Sequence, residues 1–322
     1  MTKRVLVTGA TGFVGRVLCE ALTQRGMRVR AATRAPAPSC ENAAEICVVG
    51  EIGSATNWTR ALEEVDWVMH LAAHAHVLGG RAGADAAYRE VNTLGTAALA
   101  AAAARSGATR FVYLSSVKVN GEATSGLAYS AHDQPRPADA YAASKWQGEL
   151  ALCDISPGAR MQCSTVRSPL VYGTRVRANF LRLMRWVDRG VPLPFGAVRN
   201  LRSLISVWNL ADVLVRVAQH PAAPGRVWMV SDGADVSTPA LVRAIGRAMG
   251  RRVTLVSVPL GLLRLAGTVA GRRAEIDRLC GSLEVDISET RSRLEWTPPL
   301  TLQAGLERTV AWYLSEARSD AR

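Results

Sequence analysis

Three side chains near the middle of this 322-residue chain have the types and spacing for proton transfer at an oxygen atom. Tyr141 and Lys145 are four positions apart, which places both on one face of a helix. An ammonium group beside a phenol stabilises the phenolate, so we expect the pKa of Tyr141 to fall below its usual value of about 10. Ser116 follows an apolar strand pattern and can hydrogen-bond the reacting oxygen. The trio predicts a proton shuttle centred on Tyr141.

A glycine-rich stretch near the start of the chain indicates where a cofactor for such chemistry would bind. The segment RVLVTGATGFVG passes from an apolar strand pattern through Gly9, Gly12 and Gly15 into an amphipathic helix pattern. This order is typical of a Rossmann site, in which the dinucleotide pyrophosphate lies at a helix N-terminus. The GxxGxxG spacing is one residue longer at its first gap than GxGxxG. A glycine turn in another kind of α/β protein is the alternative.

The end of the second predicted strand, residues 28–33, bears on the choice of dinucleotide. A carboxylate there would bind the adenosine ribose and favour NAD, whereas an arginine would accommodate the 2′-phosphate of NADP. Thr33 and Arg34 stand there without an acid, which favours NADP(H) over NAD(H). An Arg34 that only faces solvent is the alternative. Glu51 and Ile52, after the third predicted strand, are expected to contact adenine.

Strand and helix patterns alternate along the first half of the chain, which predicts a Rossmann-type doubly wound parallel sheet, an α/β fold. Ligands bind beyond the carboxyl ends of such strands, where the serine of the trio lies. We expect residues 1–166 and 203–224 to form the dinucleotide domain, and residues 167–202 and 225–315 to form a smaller, discontinuous C-terminal substrate lobe. Residues 316–322 are polar and are expected to fray.

The charge distribution and the cysteine spacing argue against a nucleic-acid-binding protein and against a metal site. The net charge of +12 rests on many arginines and only three lysines, without a basic run or an aromatic-interleaved patch, so nucleic-acid binding is not expected. A preference for Arg codons accounts for most of this charge, and attraction of a phosphorylated substrate for part of it. The six scattered cysteines lack metal-ligand spacing, and His74 and His76 lack a third ligand, so no metal site is expected.

Hydropathy patterns predict a cytoplasmic location. The first strand pattern begins almost at once, which leaves no room for a signal peptide, and no apolar run reaches membrane-spanning length. The apolar stretch 256–270 would suit membrane contact if the substrate were lipid-linked. Pro259 and Arg264 inside it favour a lobe helix near the pocket instead. Trp296, before two prolines, is expected to be a packing residue.

Taken together, the motifs resemble those of the extended short-chain dehydrogenase/reductases, the NAD-dependent epimerase/dehydratase group. The resemblance covers nearly the whole chain and rests on TGATGFVG, DWVMHLAA, LSSVKVNG, YAASK, VRSPLVYG and LRSLISVWNLADV. It implies that Ser116, Tyr141 and Lys145 are catalytic, with Lys145 also binding the nicotinamide ribose. The cofactor-binding residues expected from the motifs and the resemblance are Gly9, Thr11, Gly12, Phe13, Val14, Arg34, Glu51, Ile52, Leu71, Ala72, Ala73, Tyr141, Lys145 and Pro169.

The same resemblance implies a nucleotide-sugar substrate, because most members with such a C-terminal lobe act on nucleotide sugars. The expected substrate-binding residues are His74, Ser116, Lys118, Tyr141, Asn179 and Arg202. Among these, Asn179 and Arg202 would contact the diphosphate, and Lys118 would either touch substrate or cap its loop. Tyr172 and Gly173 would flank the nicotinamide and the sugar. A homodimer is likewise implied by the resemblance alone.

One departure from the family pattern narrows the expected reaction. Sugar 4,6-dehydratases carry Thr-Asp-Glu where this chain has Ser116-Val117-Lys118, so dehydration is not expected. The sequence SSVKVNG is similar to a UDP-glucose 4-epimerase-like bacterial branch that also contains reductases of 4-keto-6-deoxy nucleotide sugars. Thr33 and Arg34 favour 4-keto reduction with NADPH slightly over 4-epimerisation with tightly bound NAD. A reductase of a non-sugar ketone and a non-catalytic NADP sensor are the further alternatives.

Overall fold

The computed structural model describes residues 2–36, 40, 42–75, 84–155 and 160–317. The strands are β1 Arg4–Thr8, β2 Arg28–Thr33, β3 Glu45–Val48, β4 Trp67–His70, β5 Arg110–Ser116, β6 Gln162–Ser168, β7 Leu170–Tyr172, β8 Leu204–Ser206 and β9 Val227–Met229. The α-helices are α1 Phe13–Gln24, α2 Ala84–Tyr88, α3 Gly95–Arg105, α4 Ala140–Ile155, α5 Ala178–Asp188, α6 Val207–Gln219, α7 Thr238–Ala248, α8 Leu260–Val269, α9 Arg273–Cys280, α10 Ser288–Arg293 and α11 Leu302–Trp312.

A seven-stranded sheet in the order β3-β2-β1-β4-β5-β6-β9 forms the centre of the molecule. Every neighbouring pair in it is parallel. The central strands β1 and β4 carry apolar runs at residues 5–7 and 67–69 because helices cover both faces of the sheet. One face packs on α1 and α6 through side chains such as Leu18 and Leu214, and the other packs on α3 and α4 through Leu99 and Leu152. This confirms the predicted doubly wound fold.

The seventh strand lies outside the residue range predicted for the dinucleotide domain. Residues 227–229 pair with residues 165–167 and so belong to the sheet, although the predicted domain stops at 224. Trp228 is buried there, and its indole Nε1 donates to the Ala223 carbonyl at 3.0 Å. A strand of three residues is too short to show an alternating pattern, so the sequence does not reveal it.

The helical segment over residues 84–105 is divided into three parts. It begins as α2, passes through a π-helical turn at Arg89–Leu94 and continues as α3. Such turns insert one extra residue per turn and often occur at functional sites. Here the turn buries Asn92, whose side chain reaches the chain segment that follows β4.

The C-terminal lobe has its own apolar core. Side chains from α5, α7 and α11 fill it, including Phe180, Ile245 and Val310, beside the two-stranded sheet of β7 and β8. Helices α8 and α9 form a hairpin at the edge of this lobe. Within the described ranges, no helix is long and apolar enough to cross a membrane.

Two predictions about the C-terminal region have different outcomes. Trp296 is buried and donates from Nε1 to Asp212 at 2.7 Å, which confirms a packing role. The first two residues of the tail expected to fray, 316 and 317, belong to a π-helical turn at Tyr313–Ala317 that follows α11. Glu316 in this turn accepts a hydrogen bond from Trp312 Nε1 at 2.7 Å. Residues 318–322 lie outside the described residues.

Candidate active site

The glycine loop between β1 and α1 has a shape that only glycine permits at two positions. Gly9 has a φ of +68°, and a Cβ atom there would lie 2.9 Å from the backbone nitrogen of Ala72. A Cβ at Gly15 would lie 2.0 Å from the Gly9 carbonyl oxygen. Helix α1 then begins at Phe13, and among the described residues no side chain caps its N-terminal N–H groups. The loop and helix therefore fit a dinucleotide pyrophosphate.

The end of β2 offers polar groups where the adenosine of a dinucleotide would lie. Thr33 is buried, and its Oγ1 has no hydrogen-bond partner among the described residues. Arg34 is exposed, with Nη1 3.5 Å from Glu51 Oε1. Ile52 packs so closely on Gly95 that a Cβ there would lie 2.7 Å from its Cγ2. A buried hydroxyl without a partner supports a ligand at this strand end, because such groups are usually satisfied.

A buried histidine fixes the strand ends beside the glycine loop. His70 lies between the Thr8 and Thr96 hydroxyls, with ring nitrogens 2.7 and 2.9 Å from their oxygens. Burial lowers the pKa of His70 to about 3, so the ring stays neutral. The Thr8 hydroxyl also accepts the N–H of Ala72 at 3.1 Å. The loop after β4 is thereby held against the loop after β1.

The remaining predicted cofactor residues surround these loops. Thr11 is exposed, and its carbonyl accepts from Arg16 Nε at 3.0 Å. Val14 and Leu71 pack on the sheet core, whereas Phe13 packs on the core of the lobe. The other two are the half-buried Ala73 after β4 and the buried Pro169 between β6 and β7. All of them lie near carboxyl ends of parallel strands, where a dinucleotide binds in this fold.

The predicted trio lies at the end of β5 and the start of α4. Asp139 caps α4, with Oδ1 accepting the N–H of Ala142 at 2.7 Å, and Tyr141 and Lys145 follow on the first turns. Lys145 is buried, and its Nζ lies 4.0 Å from the centre of the Tyr113 ring. Ser116 ends β5, and its Oγ accepts the N–H of Lys118 at 3.2 Å.

The pKa predicted for Tyr141 is wrong in its direction. Burial raises the pKa of Tyr141 to about 12, and the Asp139 carboxylate and the neighbouring Tyr88 raise it further. Burial also lowers the pKa of Lys145 to about 7, against the opposing effect of Glu149. Loss of hydration disfavours the charged form of both groups, and it is the largest cause of both shifts. Lys145 is thus the group that titrates near neutral pH.

An aromatic row extends from Tyr141 toward the loop after β4. The rings of Tyr141 and Tyr88 lie edge to face with centres 5.9 Å apart, and those of Tyr88 and His74 lie 5.3 Å apart. Asn92 fixes this row, because its side chain bonds both the N–H and the carbonyl of His74 and also reaches Ser144 Oγ at 2.9 Å. Sequence reasoning missed Tyr88, which no motif marks.

The sequence predicts no metal site at His74 and His76, which follow β4. Of these two residues, His76 lies outside the described residues. Among the residues that the structure describes, no group of three or more His, Cys, Asp or Glu side chains is arranged to hold a metal ion.

A buried ion pair lies directly behind the trio. Glu149, one turn after Lys145 on α4, receives Arg167 Nε at 3.0 Å and Nη2 at 2.6 Å. The Ser115 hydroxyl donates to the same carboxylate, and Arg167 Nη1 donates to Asn120 Oδ1 at 3.0 Å. These contacts join α4, β5, β6 and the loop after β5. Sequence reasoning missed this pair, since its members are 18 residues apart and only the fold brings them together.

Lys118 is tied to acidic side chains of its own surroundings. Its Nζ lies 2.5 Å from Asp139 Oδ2 and 2.9 Å from Glu122 Oε1. Burial lowers the pKa of Lys118, but the two carboxylates outweigh this and raise it overall. Of the two alternatives for Lys118, these contacts favour the one in which it caps the loop, and they connect that loop to the start of α4.

Two arginines mark the lobe side of the site. Arg202 Nη1 donates to the carbonyls of Arg278 at 2.6 Å and Gly281 at 3.0 Å. Burial and the charge of Arg278 lower the pKa of Arg202, and the same Arg278 helps to lower that of Asp139 beside Tyr141. Arg278 therefore lies close enough to both Arg202 and Asp139 for its charge to affect them, and no sequence motif marks it. Asn179 accepts from Arg182 at 3.2 Å near the start of α5.

The side chain of Tyr172 does not reach the site, contrary to expectation. It is fully buried, its ring stacks on Phe180 at 5.5 Å, and its hydroxyl donates to Asp232 at 2.6 Å. The adjacent Gly173 has a φ of +149°, and a Cβ there would lie 2.4 Å from Val207. Tyr172 is thus a core residue of the lobe, and Gly173 is required for a close backbone approach.

Comparison with known proteins agrees with this geometry. Residues 5–231 match the NAD dependent epimerase/dehydratase family. A UDP-glucose 4-epimerase from Vibrio cholerae is 40% identical over 318 residues, covering 98% of this chain and 96% of that protein. An N-acetyl-alpha-D-glucosaminyl-diphospho-ditrans,octacis-undecaprenol 4-epimerase from Escherichia coli O157:H7 is 25% identical, covering 99% and 98%. The solved structure of MoeE5 in complex with UDP-glucose and NAD superposes with a TM-score of 0.77 at 26% identity, covering 99% and 100%.

Proposed function

This chain belongs to the NAD dependent epimerase/dehydratase family, and from that premise we propose that it transfers hydride at C4 of a UDP-sugar, as a 4-epimerase. The observation that carries the proposal is the near full-length similarity to a UDP-glucose 4-epimerase in a chain that retains Ser116, Tyr141 and Lys145. Val117 and Lys118 replace the acid pair needed to expel water, which argues against dehydration.

In this proposal, the glycine loop and the strand ends hold the cofactor. The N–H groups at the start of α1 would bind the pyrophosphate, Thr33 and Arg34 the adenosine ribose, and Lys145 the nicotinamide ribose. A nicotinamide dinucleotide bound there supplies the hydride acceptor and donor. The fit is supported by the Thr33 hydroxyl, which has no partner among the described residues. It is also supported by Gly9 and Gly15, where a Cβ atom would collide with neighbouring backbone.

Tyr141 would move the proton on the sugar O4, and Ser116 would hold that oxygen. When the C4 hydroxyl becomes a ketone, the Tyr141 oxygen would take the O4 proton as its own proton passes to the neutral Lys145 amine, and both transfers would reverse when the alcohol forms again. Because burial raises the pKa of Tyr141 to about 12, the Tyr141 hydroxyl carries its own proton at neutral pH. Lys145, with a pKa of about 7, is partly neutral at that pH, and its amine would accept the proton that Tyr141 gives up.

The substrate diphosphate would bind at the lobe side of the site. The charge of Arg278 acts on both Arg202 and Asp139, which caps the helix of Tyr141, and guanidinium geometry suits the oxygens of a diphosphate. Asn179 at the start of α5 would add a polar contact. A non-sugar ketone carries no diphosphate, so an enzyme that reduced it would have no ligand for these two positive charges.

A 4-keto reductase that uses NADPH is the second candidate function. It is favoured by Arg34 at the end of β2, where no carboxylate is present to bind an unphosphorylated ribose. The exposed Arg34 side chain has only a long ion-pair contact to Glu51, so it is available to a 2′-phosphate. A reductase would take up a fresh cofactor in every cycle, whereas an epimerase keeps one bound.

Two assays on the purified chain separate these functions. The first releases any bound nucleotide and identifies it by chromatography. The second supplies UDP-glucose without added cofactor and follows UDP-galactose. Tightly bound NAD together with conversion supports the epimerase. Failure to convert UDP-glucose, combined with NADPH oxidation by a UDP-4-keto-6-deoxyhexose, would replace it with the reductase.

A further inference from the structure

Helix α8 exposes an apolar stripe that the proposed reaction does not use. Leu262, Leu265 and Val269 are 56%, 60% and 83% exposed, and Ala266 beside them is exposed as well. At helical spacing these four residues share one face. Five of the thirteen large apolar side chains that are most exposed in the described ranges fall within residues 256–269. Such a concentration marks a contact surface rather than scattered apolar exposure.

The opposite face of α8 is already occupied. Leu263 is buried, and Gly267 lies so close to α9 that a Cβ would come within 2.8 Å of Ile276. Arg264 reaches across to Asp277 of α9 at 3.0 Å. The hairpin is therefore held together by its inner face, and the apolar stripe is on the outer face of α8.

The charge around the stripe is basic. Residues 251–281 contain six arginines and only two acidic residues, in a chain whose net charge is +12. Arg272 directly follows the stripe, is exposed and makes no ion pair among the described residues. A second copy of this chain would bring like charges together at this face, whereas an anionic surface would be attracted to it. Apolar residues flanked by arginines are typical of a helix that lies in the interface of an anionic bilayer.

We propose that the α8 stripe docks this protein on the surface of an anionic phospholipid bilayer. Leu262, Leu265 and Val269 would enter the headgroup region while the flanking arginines bind lipid phosphates. The hairpin also carries Arg278, whose carbonyl accepts a hydrogen bond from Arg202, so the element that would dock also contributes to the diphosphate side of the proposed site. Docking through the α8 stripe does not depend on whether the enzyme is an epimerase or a reductase.

Vesicle co-sedimentation of the full chain tests the proposal. The vesicles are phosphatidylcholine alone, or equal parts phosphatidylcholine and phosphatidylglycerol. We expect the wild-type chain to bind the anionic vesicles only. Binding should be at least about tenfold weaker for Leu262→Ser/Leu265→Ser, because two apolar side chains that would be buried in the bilayer are lost. Val269→Asp is a second variant, which adds a charge that the lipid repels. Leu127→Ser/Val191→Ser is the matched control, because it removes two exposed apolar side chains elsewhere and should bind like wild type.

Three results would overturn the proposal. The first is wild-type chain that does not bind phosphatidylglycerol vesicles, and the second is binding that both stripe variants leave unchanged. The third is a wild-type oligomer in solution that Leu262→Ser/Leu265→Ser dissociates, which would assign the stripe to a second copy of the chain. Turnover of a UDP-sugar without vesicles is measured on each variant. It should stay unchanged, so a failure of the proposed reaction is seen separately.

Discussion

Helix α4 buries charged side chains, whereas the α8–α9 hairpin exposes both charged and apolar side chains. On α4, Lys145 and Glu149 are 1% and 5% exposed, and Tyr141 beside them loses most of its hydration. On the hairpin, charged pairs such as Arg273 and Asp277 lie at the surface, and the apolar stripe faces outward. Burial changes what an ionisable group does, because it shifts pKa values and makes each partner costly to remove. The hairpin has no such constraint and is free to serve as a contact surface.

The largest effect is expected from removing one oxygen on α4. Tyr141→Phe keeps the ring and its packing but removes the proposed proton carrier, so turnover should fall between about a hundredfold and ten-thousandfold. Tyr88→Phe is the matched control, since it removes the neighbouring hydroxyl and should cost less than about tenfold. Steady-state kinetics with a UDP-sugar would measure both. Equal losses in the two variants would contradict the assignment of Tyr141.

The buried ion pair behind the trio should be far more costly to break than an exposed one. Arg167→Met leaves the Glu149 carboxylate buried with the Ser115 hydroxyl, and should lower the free energy of unfolding by about 3–5 kcal/mol. Arg273→Met leaves Asp277 beside Arg264 and water, and should cost less than about 1 kcal/mol. Denaturant unfolding of both variants measures the difference. A double variant, Arg167→Met/Glu149→Leu, should recover part of the loss, because no buried charge is then left unpaired.

If Arg167→Met destabilised the chain no more than Arg273→Met, the contrast between the two regions would be wrong. The result would mean that water reaches Glu149 in solution.

A smaller effect concerns the pH dependence of stability. Burial lowers the pKa of Lys145 to about 7 from an unfolded value of 10.5. Between these values the unfolded chain binds one more proton than the folded chain, so this group makes stability rise with pH. Lys145→Met removes that contribution, and its unfolding temperature should rise less than that of wild type between about pH 7 and 9. The exposed Lys3 supplies the control, since Lys3→Met should keep the wild-type slope. Identical slopes for all three proteins would show that Lys145 is hydrated.

Local patterns were sufficient for the dinucleotide half of the molecule. The glycine loop, the helix with Tyr141 and Lys145, and the alternation of strands and helices in the first half of the chain each depend on residues close together in sequence. The buried groups that surround the trio do not. Arg167 and Glu149 meet across two elements, Tyr88 reaches Tyr141 from another helix, and Arg278 comes from the far end of the lobe. No spacing rule marks such contacts.

Two errors have a common physical cause. Tyr172 is in the predicted chain segment, but its side chain turns inward to Asp232, and a motif fixes backbone position better than side-chain direction. The pKa of Tyr141 was expected to fall because of Lys145, yet burial of both groups dominates. Both outcomes depend on how deeply a side chain is packed, which the sequence alone does not specify.

Transfer of hydrogen at C4 can be followed directly with UDP-glucose that carries deuterium at C4. Hydride transfer to a bound cofactor and back returns the same deuterium to C4 of the product, so UDP-galactose should retain it in ordinary water. Mass spectrometry and proton NMR of the product measure the retention. Deuterium lost to solvent, or no conversion by the chain that retains Ser116, Tyr141 and Lys145, would contradict 4-epimerisation by hydride transfer.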